Sequence, residues 1–134
     1  CVAYLDLDGF KGVNDALGHG EGDKCLVAVA NALKAELRKH DIVGRMAGDE
    51  FVALLPDTSR IDGLAIADRL RRAVNSLAQR NGWQLGISVG GVIADGTVTG
   101  EQVLIMADRV MYRVKRQRGD CQIVDWAESF AAAA

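Results

Sequence analysis

The chain has 134 residues, a formal net charge of −2 at pH 7 and about half apolar residues, which suits one globular domain. The nearly neutral charge excludes a protein that binds a nucleic acid polymer through its overall field, so any phosphate binding must be local. No apolar run approaches the roughly 20 residues of a membrane span and no signal-peptide pattern is present, so no membrane contact is predicted from this segment.

Strands and helices are predicted to alternate along the chain. In chain order they are a strand over 2–7, a short helix over 10–17, a loop over 18–23, a helix over 24–39, strands over 42–45 and 51–55, a helix over 59–79, a strand over 85–94, a helix over 99–115 and a strand at 123–124. Thr99 and Gln102 have the spacing of a capping box, and the alanine-rich end is expected to fray. The order predicts an α/β sandwich: a mixed central sheet of the βαββαβ type flanked by helices, as one domain over 1–134.

Four acidic side chains are predicted to meet at one end of this sheet. Asp6 and Asp8 lie at the end of the first strand, and Asp49 and Glu50 lie in the turn between the two central strands. Carboxylates this close repel one another unless water, a base or a metal relieves them, and such a group can hold a divalent cation. Taken alone, Asp6 and Asp8 also fit the alternative of two solvated turn acids.

The glycine-rich stretch and the charged helix ends have plain structural interpretations when each is taken alone. Residues 18–23 match neither a P-loop nor a dinucleotide fingerprint, and His19 is interpreted as a residue that braces this loop. Residues 115–118 close the last helix, where cations favour the helix dipole. Arg38 and Asp41 can form a surface ion pair, which stabilises a fold only slightly.

Four segments, in matching order and spacing, resemble the GGDEF family of diguanylate cyclases over nearly the whole chain. They are DLDGFKGVNDALGHGEGDKCL from residue 6, RKHDIVGRMAGDEFVALLP from residue 38, GISVGGV from residue 86 and ADRVMYRVKRQRG from residue 107. The signature turn is AGDEF, with Ala47 where the family has its first glycine. The resemblance implies a nucleotide-cyclase or polymerase-palm-like fold. It also implies a reaction in which two GTP molecules condense to cyclic di-GMP and release two pyrophosphates.

The resemblance implies a metal site among the acids. Asp49, Asp6 and the backbone carbonyl of Leu7 would hold Mg²⁺ or Mn²⁺ on the triphosphate, which neutralises phosphate charge. Asp49 would also help to deprotonate the attacking 3′-hydroxyl. Glu50 would support the metal or order the nearby cations.

The resemblance also implies contacts to the nucleotide and the product. Asn14 and Asp23 would read guanine, since a carboxylate accepts hydrogen bonds from its N–H groups. The remaining implied residues are Gly9, Phe10, Lys11, Lys115 and Arg118 at the phosphates, and Arg38 and Asp41 at an inhibitory site for cyclic di-GMP. The order Arg118-Gly119 reverses the glycine and arginine that the family usually has, which leaves the role of Arg118 open.

Because each domain would hold one GTP, the implied enzyme is a homodimer. We expect a cytoplasmic domain, tethered or not to a membrane or sensor region outside this chain, and its widely spaced cysteines predict free thiols. The family's upstream segment with the LTGLxNR motif is expected to be missing. The alternative, favoured by Ala47 and Arg118, is a weak or inactive module that binds GTP or cyclic di-GMP and regulates an attached effector or phosphodiesterase domain.

Overall fold

The structure, a computed structural model that describes residues 1–118 and 120–127, has a five-stranded mixed sheet with helices on both faces. The strands are β1 Val2–Asp8, β2 Ile42–Ala47, β3 Glu50–Leu54, β4 Gly86–Ile93 and β5 Cys121–Asp125. The helices are α1 Phe10–Leu17, α2 His19–Glu36, α3 Arg60–Asn81 and α4 Gly100–Arg116. The α/β architecture with a mixed central sheet is therefore confirmed.

The central strand of the sheet is β1. The strand order is β2-β3-β1-β4-β5, with β1 antiparallel to both of its neighbours and β5 parallel to β4. Asp6 lies opposite Glu50 on β3 and opposite Ser88 on β4. Because residues directly opposite each other point to the same face, the register places three polar side chains in one row across the sheet.

The two faces of β1 have different partners. Leu5 and Leu7 belong to the larger core cluster, which α2 and α3 cover. Tyr4 belongs to the smaller cluster, which α4 covers. Since side chains alternate along a strand, Asp6 and Asp8 lie on the α4 face together with Tyr4.

The close approach of α4 to the sheet depends on Gly90 in β4. A Cβ built at Gly90 would lie 2.0 Å from the backbone nitrogen of Met111 and 2.4 Å from its Cα. Only a residue without a side chain lets the helix backbone pack so near the strand. Lys115 lies four positions beyond Met111, on the same side of α4, so this contact also sets where the lysine stands over the sheet.

The start of α2 differs from the prediction. Residues 18–23 are not a loop: α2 begins at His19, and it ends at Glu36 rather than at residue 39. Gly18, with φ 86° and ψ 164°, both ends α1 and forms the N-cap of α2, so one residue makes the whole connection. His19 is an exposed helical residue, and the prediction that it braces a loop is wrong.

The predicted capping box and free cysteines are confirmed. The Thr99 side chain accepts from the backbone N–H of Gln102 at 3.2 Å, and the Thr99 N–H donates to Gln102 Oε1 at 2.9 Å, which completes the capping box. Cys1, Cys25 and Cys121 are free thiols. In the part of the chain that the structure describes, no helix combines the length and apolarity that crossing a membrane requires. The alanine-rich end lies outside the described residues.

We expect Gly90→Ala to lower the free energy of unfolding by about 1–3 kcal/mol, because the added methyl group must push α4 away from β4. Gly44→Ala is the matched control, since Gly44 also lies in a strand and a Cβ there would meet nothing within 4 Å. Urea denaturation of the two variants and the parent measures the difference. Equal stabilities of the two variants would contradict the close packing at Gly90.

Candidate functional site

Lys115 lies among the acids at the end of β1. Its Nζ donates to Asp6 Oδ2 at 2.8 Å and lies 3.7 Å from Asp8 Oδ1. Burial opposes the charge of Lys115, but the hydrogen bond to Asp6 and the surrounding carboxylates outweigh it and raise the pKa of the lysine. The amine therefore carries the positive charge that relieves the repulsion within the cluster.

Asp6 is nearly buried, and only one of its oxygens is paired. Lys115 binds Oδ2, whereas the buried Oδ1 has no hydrogen-bond partner among the described residues. Burial raises the pKa of this carboxyl group; Lys115 opposes the increase, and the negative charges of the hairpin add to it. An unpaired buried carboxylate oxygen is unfavourable unless a ligand uses it. The environment of Asp6 Oδ1 therefore favours the binding of a cation.

The β2–β3 hairpin brings Asp49 to the end of β1. The two turn residues are Gly48, with φ 49°, and Asp49. The backbone N–H of Leu7 donates to the carbonyl oxygen of Asp49 at 3.1 Å. This main-chain bond ties the turn to the strand, so the charge of Asp49 acts on both Asp6 and Lys115.

Ala47 does not have a positive φ. It is the last residue of β2 and pairs with Glu50, and the positive φ of this hairpin belongs to Gly48 instead. Alanine at this position therefore carries none of the strain that glycine would relieve. Ala47 gives no backbone reason to favour an inactive module.

Ser88 fixes the second acid of β1. Its Oγ donates to Asp8 Oδ2 at 2.8 Å and lies 3.1 Å from Asp8 Oδ1, and the serine itself is 1% exposed. Ser88 is not among the residues predicted from the sequence. A single hydroxyl inside an apolar strand is the signal that could have found it, because buried hydroxyl groups need a partner.

Tyr4 is a second polar neighbour that the sequence prediction omits. Its Oη donates to Glu50 Oε2 at 2.9 Å. Burial, this hydrogen bond and the neighbouring acids raise the pKa of Tyr4 to about 12, so the phenol keeps its proton at neutral pH. Tyr4 precedes Asp6 by two positions, and the alternation of β1 would have placed it on the same face.

The packing of α1 on α2 brings Asn14 close to Asp23. A Cβ built at Gly22 would lie 1.8 Å from Asn14 Oδ1, so the carboxamide rests against the glycine backbone. Gly22 directly precedes Asp23, which is exposed. The two residues implied to read guanine are therefore neighbours in space, although they lie on different helices.

The start of α1 follows Asp8 with a single residue between them. That residue is Gly9, which has φ 86°, and a Cβ there would lie 2.6 Å from the carbonyl oxygen of Gln84, so glycine is required on both grounds. The helix has no side-chain cap at its N-terminus, and such free N–H groups favour anions. Phe10 and Lys11 thus begin a helix that points its positive end towards the edge of the acidic cluster.

Arg38 and Asp41 form a two-pronged ion pair away from the cluster. Arg38 Nε donates to Asp41 Oδ2 at 2.9 Å and Nη2 donates to Oδ1 at 2.8 Å. Nη2 also donates to Thr58 Oγ1 at 2.7 Å and to the carbonyl of Pro56 at 3.2 Å. The hydrogen bond raises the pKa of Arg38 and holds the pKa of Asp41 below its usual range. The pair borders a pocket of about 310 Å³.

Arg118 follows α4 in a left-handed conformation with φ 53°. Its N–H donates to the carbonyl of Lys115 at 3.2 Å. Among residues 1–118 and 120–127, Arg118 forms no hydrogen bond or ion pair with the acidic cluster. The phosphate contact of Arg118 stays a prediction, and the neighbouring Gly119 lies outside the described residues.

The donor set fits a cation that is shared with a ligand. No group of three or more His, Cys, Asp or Glu side chains among the described residues forms a complete metal site. The unpaired Oδ1 of Asp6, with Asp49 beside it, is a smaller set of hard oxygen donors. A Mg²⁺ ion bound with a substrate phosphate needs only one or two protein carboxylates, so this set is sufficient.

Carboxylates from a central strand and from the adjacent hairpin, opposed by a lysine of the covering helix, form a site in an α/β domain that suits a phosphate ligand and its cation. Residues 1–121 match the family described as diguanylate cyclase, GGDEF domain. The chain belongs to the GGDEF family.

The chain is similar to several diguanylate cyclases. It is 41% identical over 122 residues to diguanylate cyclase DgcP of Pseudomonas aeruginosa, covering 89% of this chain and 18% of that protein. It is 35% identical over 132 residues to diguanylate cyclase DosC of Escherichia coli K12, covering 96% of this chain and 28% of that protein. The chain therefore spans less than a third of the length of these relatives.

Solved structures share the fold. Diguanylate cyclase SiaD of Pseudomonas aeruginosa, in complex with its activator SiaC, has a TM-score of 0.83 and 38% identity, covering 92% of this chain and 48% of that one. The GGDEF domain of DgcB from Caulobacter crescentus, in complex with c-di-GMP, has a TM-score of 0.81 and 27% identity, covering 93% and 76%.

We expect Arg118→Gly to raise the free energy of unfolding by about 1 kcal/mol, because glycine adopts a left-handed conformation without the strain of a side chain. Arg109→Gly is the control: it is an exposed residue in the middle of α4, where glycine lowers stability by about 1 kcal/mol. Thermal and urea denaturation measure both changes. A loss of stability in Arg118→Gly as large as in Arg109→Gly would contradict the strained helix end.

Proposed function

We propose that this domain is a diguanylate cyclase. In the proposed reaction the 3′-hydroxyl of each of two GTP molecules attacks the α-phosphate of the other, two phosphodiester bonds form, and two pyrophosphates leave. The observation that carries the proposal is Asp6, whose buried Oδ1 is unpaired beside Asp49 and Lys115. Membership of the GGDEF family and the similarity to named diguanylate cyclases support it.

The proposed reaction depends on a divalent cation, as GGDEF cyclases generally do. Asp6, Asp49 and the backbone carbonyl of Leu7 would hold Mg²⁺ or Mn²⁺. When bound, the cation offsets phosphate charge and increases the electrophilicity of the α-phosphorus. Asp49 would help to remove the proton of the 3′-hydroxyl. Glu50 would support the metal or order the nearby cations.

Lys115 would exchange partners when substrate binds. Without nucleotide its amine neutralises Asp6 and Asp8. Once Asp6 is used by the cation, the flexible lysine side chain is free to bind the phosphates of GTP and to offset charge on the pyrophosphate that leaves. One positive charge replaces another at the carboxylates, so the cluster never carries its full repulsion.

The contacts to GTP would come from α1 and α2. The first N–H groups of α1, at Gly9 and Phe10, would bind the outer phosphates together with Lys11. Asp23 would accept from guanine N1–H and N2–H, and the Asn14 amide would pair with another edge of the base. The close contact of Asn14 with the backbone of Gly22 supports a fixed position for this amide.

The proposed enzyme is a homodimer in the cytoplasm. Each domain binds one GTP, so two domains must place their acidic clusters face to face before either 3′-hydroxyl meets an α-phosphate. GTP is a cytoplasmic substrate, which places the domain on the cytoplasmic side whatever sequence surrounds it in the whole protein.

Arg38 and Asp41 would form an inhibitory site for cyclic di-GMP. They lie beside Pro56 and Thr58, past the end of β3, whereas Asp49 precedes its start. The five residues of β3 separate the two places by on the order of 15 Å. The guanidinium that is already oriented by Asp41 suits contact with a phosphate or a guanine edge.

We expect Asp49→Asn to lower cyclic di-GMP formation by about 100-fold or more, because the amide neither binds a cation well nor accepts the proton. Folding should be retained, since the side chain lies in a turn. Asp57→Asn is the matched control, an exposed aspartate in a turn at the other end of β3. The measurement is cyclic di-GMP and pyrophosphate released from GTP with Mg²⁺ or Mn²⁺.

Two outcomes would contradict this assignment. Unfolding of Asp49→Asn, seen by circular dichroism, would make Asp49 a structural residue. A parent protein that binds GTP or cyclic di-GMP tightly and forms no product would be the regulatory module instead of the cyclase.

We expect Arg38→Ala to raise the concentration of cyclic di-GMP needed for half-inhibition at least about tenfold, because a charged bidentate contact is lost. Initial turnover should stay unchanged, since Arg38 lies far from the acidic cluster. Arg80→Ala, at the end of α3, is the control for the loss of one arginine near a helix end. An unchanged inhibition curve would leave Arg38 and Asp41 as a structural ion pair.

A further inference from the structure

We propose that Tyr4 is a positioning residue for the cyclase: its hydroxyl fixes the carboxylate of Glu50 at the edge of the cation site. The proposal rests on the proposed diguanylate cyclase activity. It adds a residue that lies outside the signature turn, on β1, two positions before Asp6.

The geometry gives Tyr4 a fixed position. Its ring is buried in the core cluster under α4, and its partner across the β1–β3 pairing is Val52. Glu50 lies two positions before Val52 on the same face of β3, so the phenol reaches diagonally to the carboxylate, at 2.9 Å from Oε2. A buried ring with its hydroxyl at the rim of the core is a rigid donor, because packing leaves it little freedom.

The charges around Glu50 make such a donor necessary. Asp6 is the cross-strand partner of Glu50. Asp108 of α4 also lies near Glu50, and burial together with the charge of Glu50 raises the pKa of Asp108. Repulsion from these carboxylates would turn Glu50 away from the sheet. Within the described residues, Tyr4 is the side chain that donates a hydrogen bond to Glu50.

A neutral donor has a consequence that a lysine would not have. Tyr4 keeps its proton, so the hydrogen bond holds Glu50 without cancelling its negative charge. The bond uses Oε2 and leaves Oε1 for a ligand. Tyr4 therefore orients Glu50 and preserves the charge that the proposed cation site needs.

The test begins with Tyr4→Phe, which keeps the ring in the core and removes only the hydroxyl. We expect kcat for cyclic di-GMP formation to fall about tenfold, as for the loss of one hydrogen bond to a charged group, with little change in the KM for GTP. Tyr112→Phe is the matched control, because Tyr112 is 60% exposed on α4. A structural role alone would change thermal stability without this separation of kcat from KM.

A second measurement needs no turnover. The chain contains two tyrosines, so in Tyr112→Phe the ¹³Cζ signal of labelled tyrosine reports Tyr4 alone. We expect Glu50→Gln to shift this signal and Asp57→Asn to leave it in place. An unshifted signal in Glu50→Gln would overturn the Tyr4–Glu50 contact.

The outcomes separate this inference from the proposed function. A parent that forms cyclic di-GMP, with Tyr4→Phe equally active, overturns the inference and leaves the cyclase intact. A parent that forms no product overturns the proposed function and the catalytic part of the inference with it. The expected result is an active parent, a slow Tyr4→Phe and an unaffected Tyr112→Phe.

Discussion

The contact of α4 with Gly90 is the constraint on which the site depends. Because β4 lacks a side chain at this point, the backbone of Met111 packs directly on the strand. One turn later Lys115 extends over the end of β1 and meets Asp6 at 2.8 Å. A wider separation would remove the amine from the carboxylates, and their repulsion would act on the central strand of the sheet. Backbone packing and charge balance are thus parts of a single arrangement.

The site combines one positively charged side chain with two neutral hydrogen-bond donors. The ammonium group of Lys115 supplies the positive charge. Ser88 holds Asp8, and Tyr4 holds Glu50, through hydroxyl groups. Hydroxyl groups orient carboxylates without neutralising them, so the site keeps an excess of negative charge. Such an excess lowers the stability of the fold and is favourable only when a cation or a cationic side chain occupies the site. The arrangement is therefore better suited to ligand binding than to stability.

The order of the elements and the meeting of the acidic side chains were predictable from the sequence, whereas the individual packing contacts between elements were not. The end of the first strand and the central turn were predicted to lie side by side, and Asp6 does lie opposite Glu50. Glycines at 18–23 favoured a loop, but Gly18 alone makes the turn and Gly22 is required by its contact with Asn14. Ser88 escaped prediction because its partner Asp8 is 80 positions away, and pairing across strands is set by the register.

The proposed inhibitory site and the proposed catalytic site lie at different ends of one hairpin. The proposed inhibitory pair, Arg38 and Asp41, lies at the end of the β2–β3 hairpin opposite to Asp49, on the order of 15 Å away along β3. A ligand bound there cannot touch the reacting phosphates of the same domain. In the proposed homodimer each phosphodiester bond would need groups from two domains, so inhibition through Arg38 would act on how the two domains meet. The hairpin that carries the proposed catalytic turn at one end would then carry, at its other end, the control over dimer geometry.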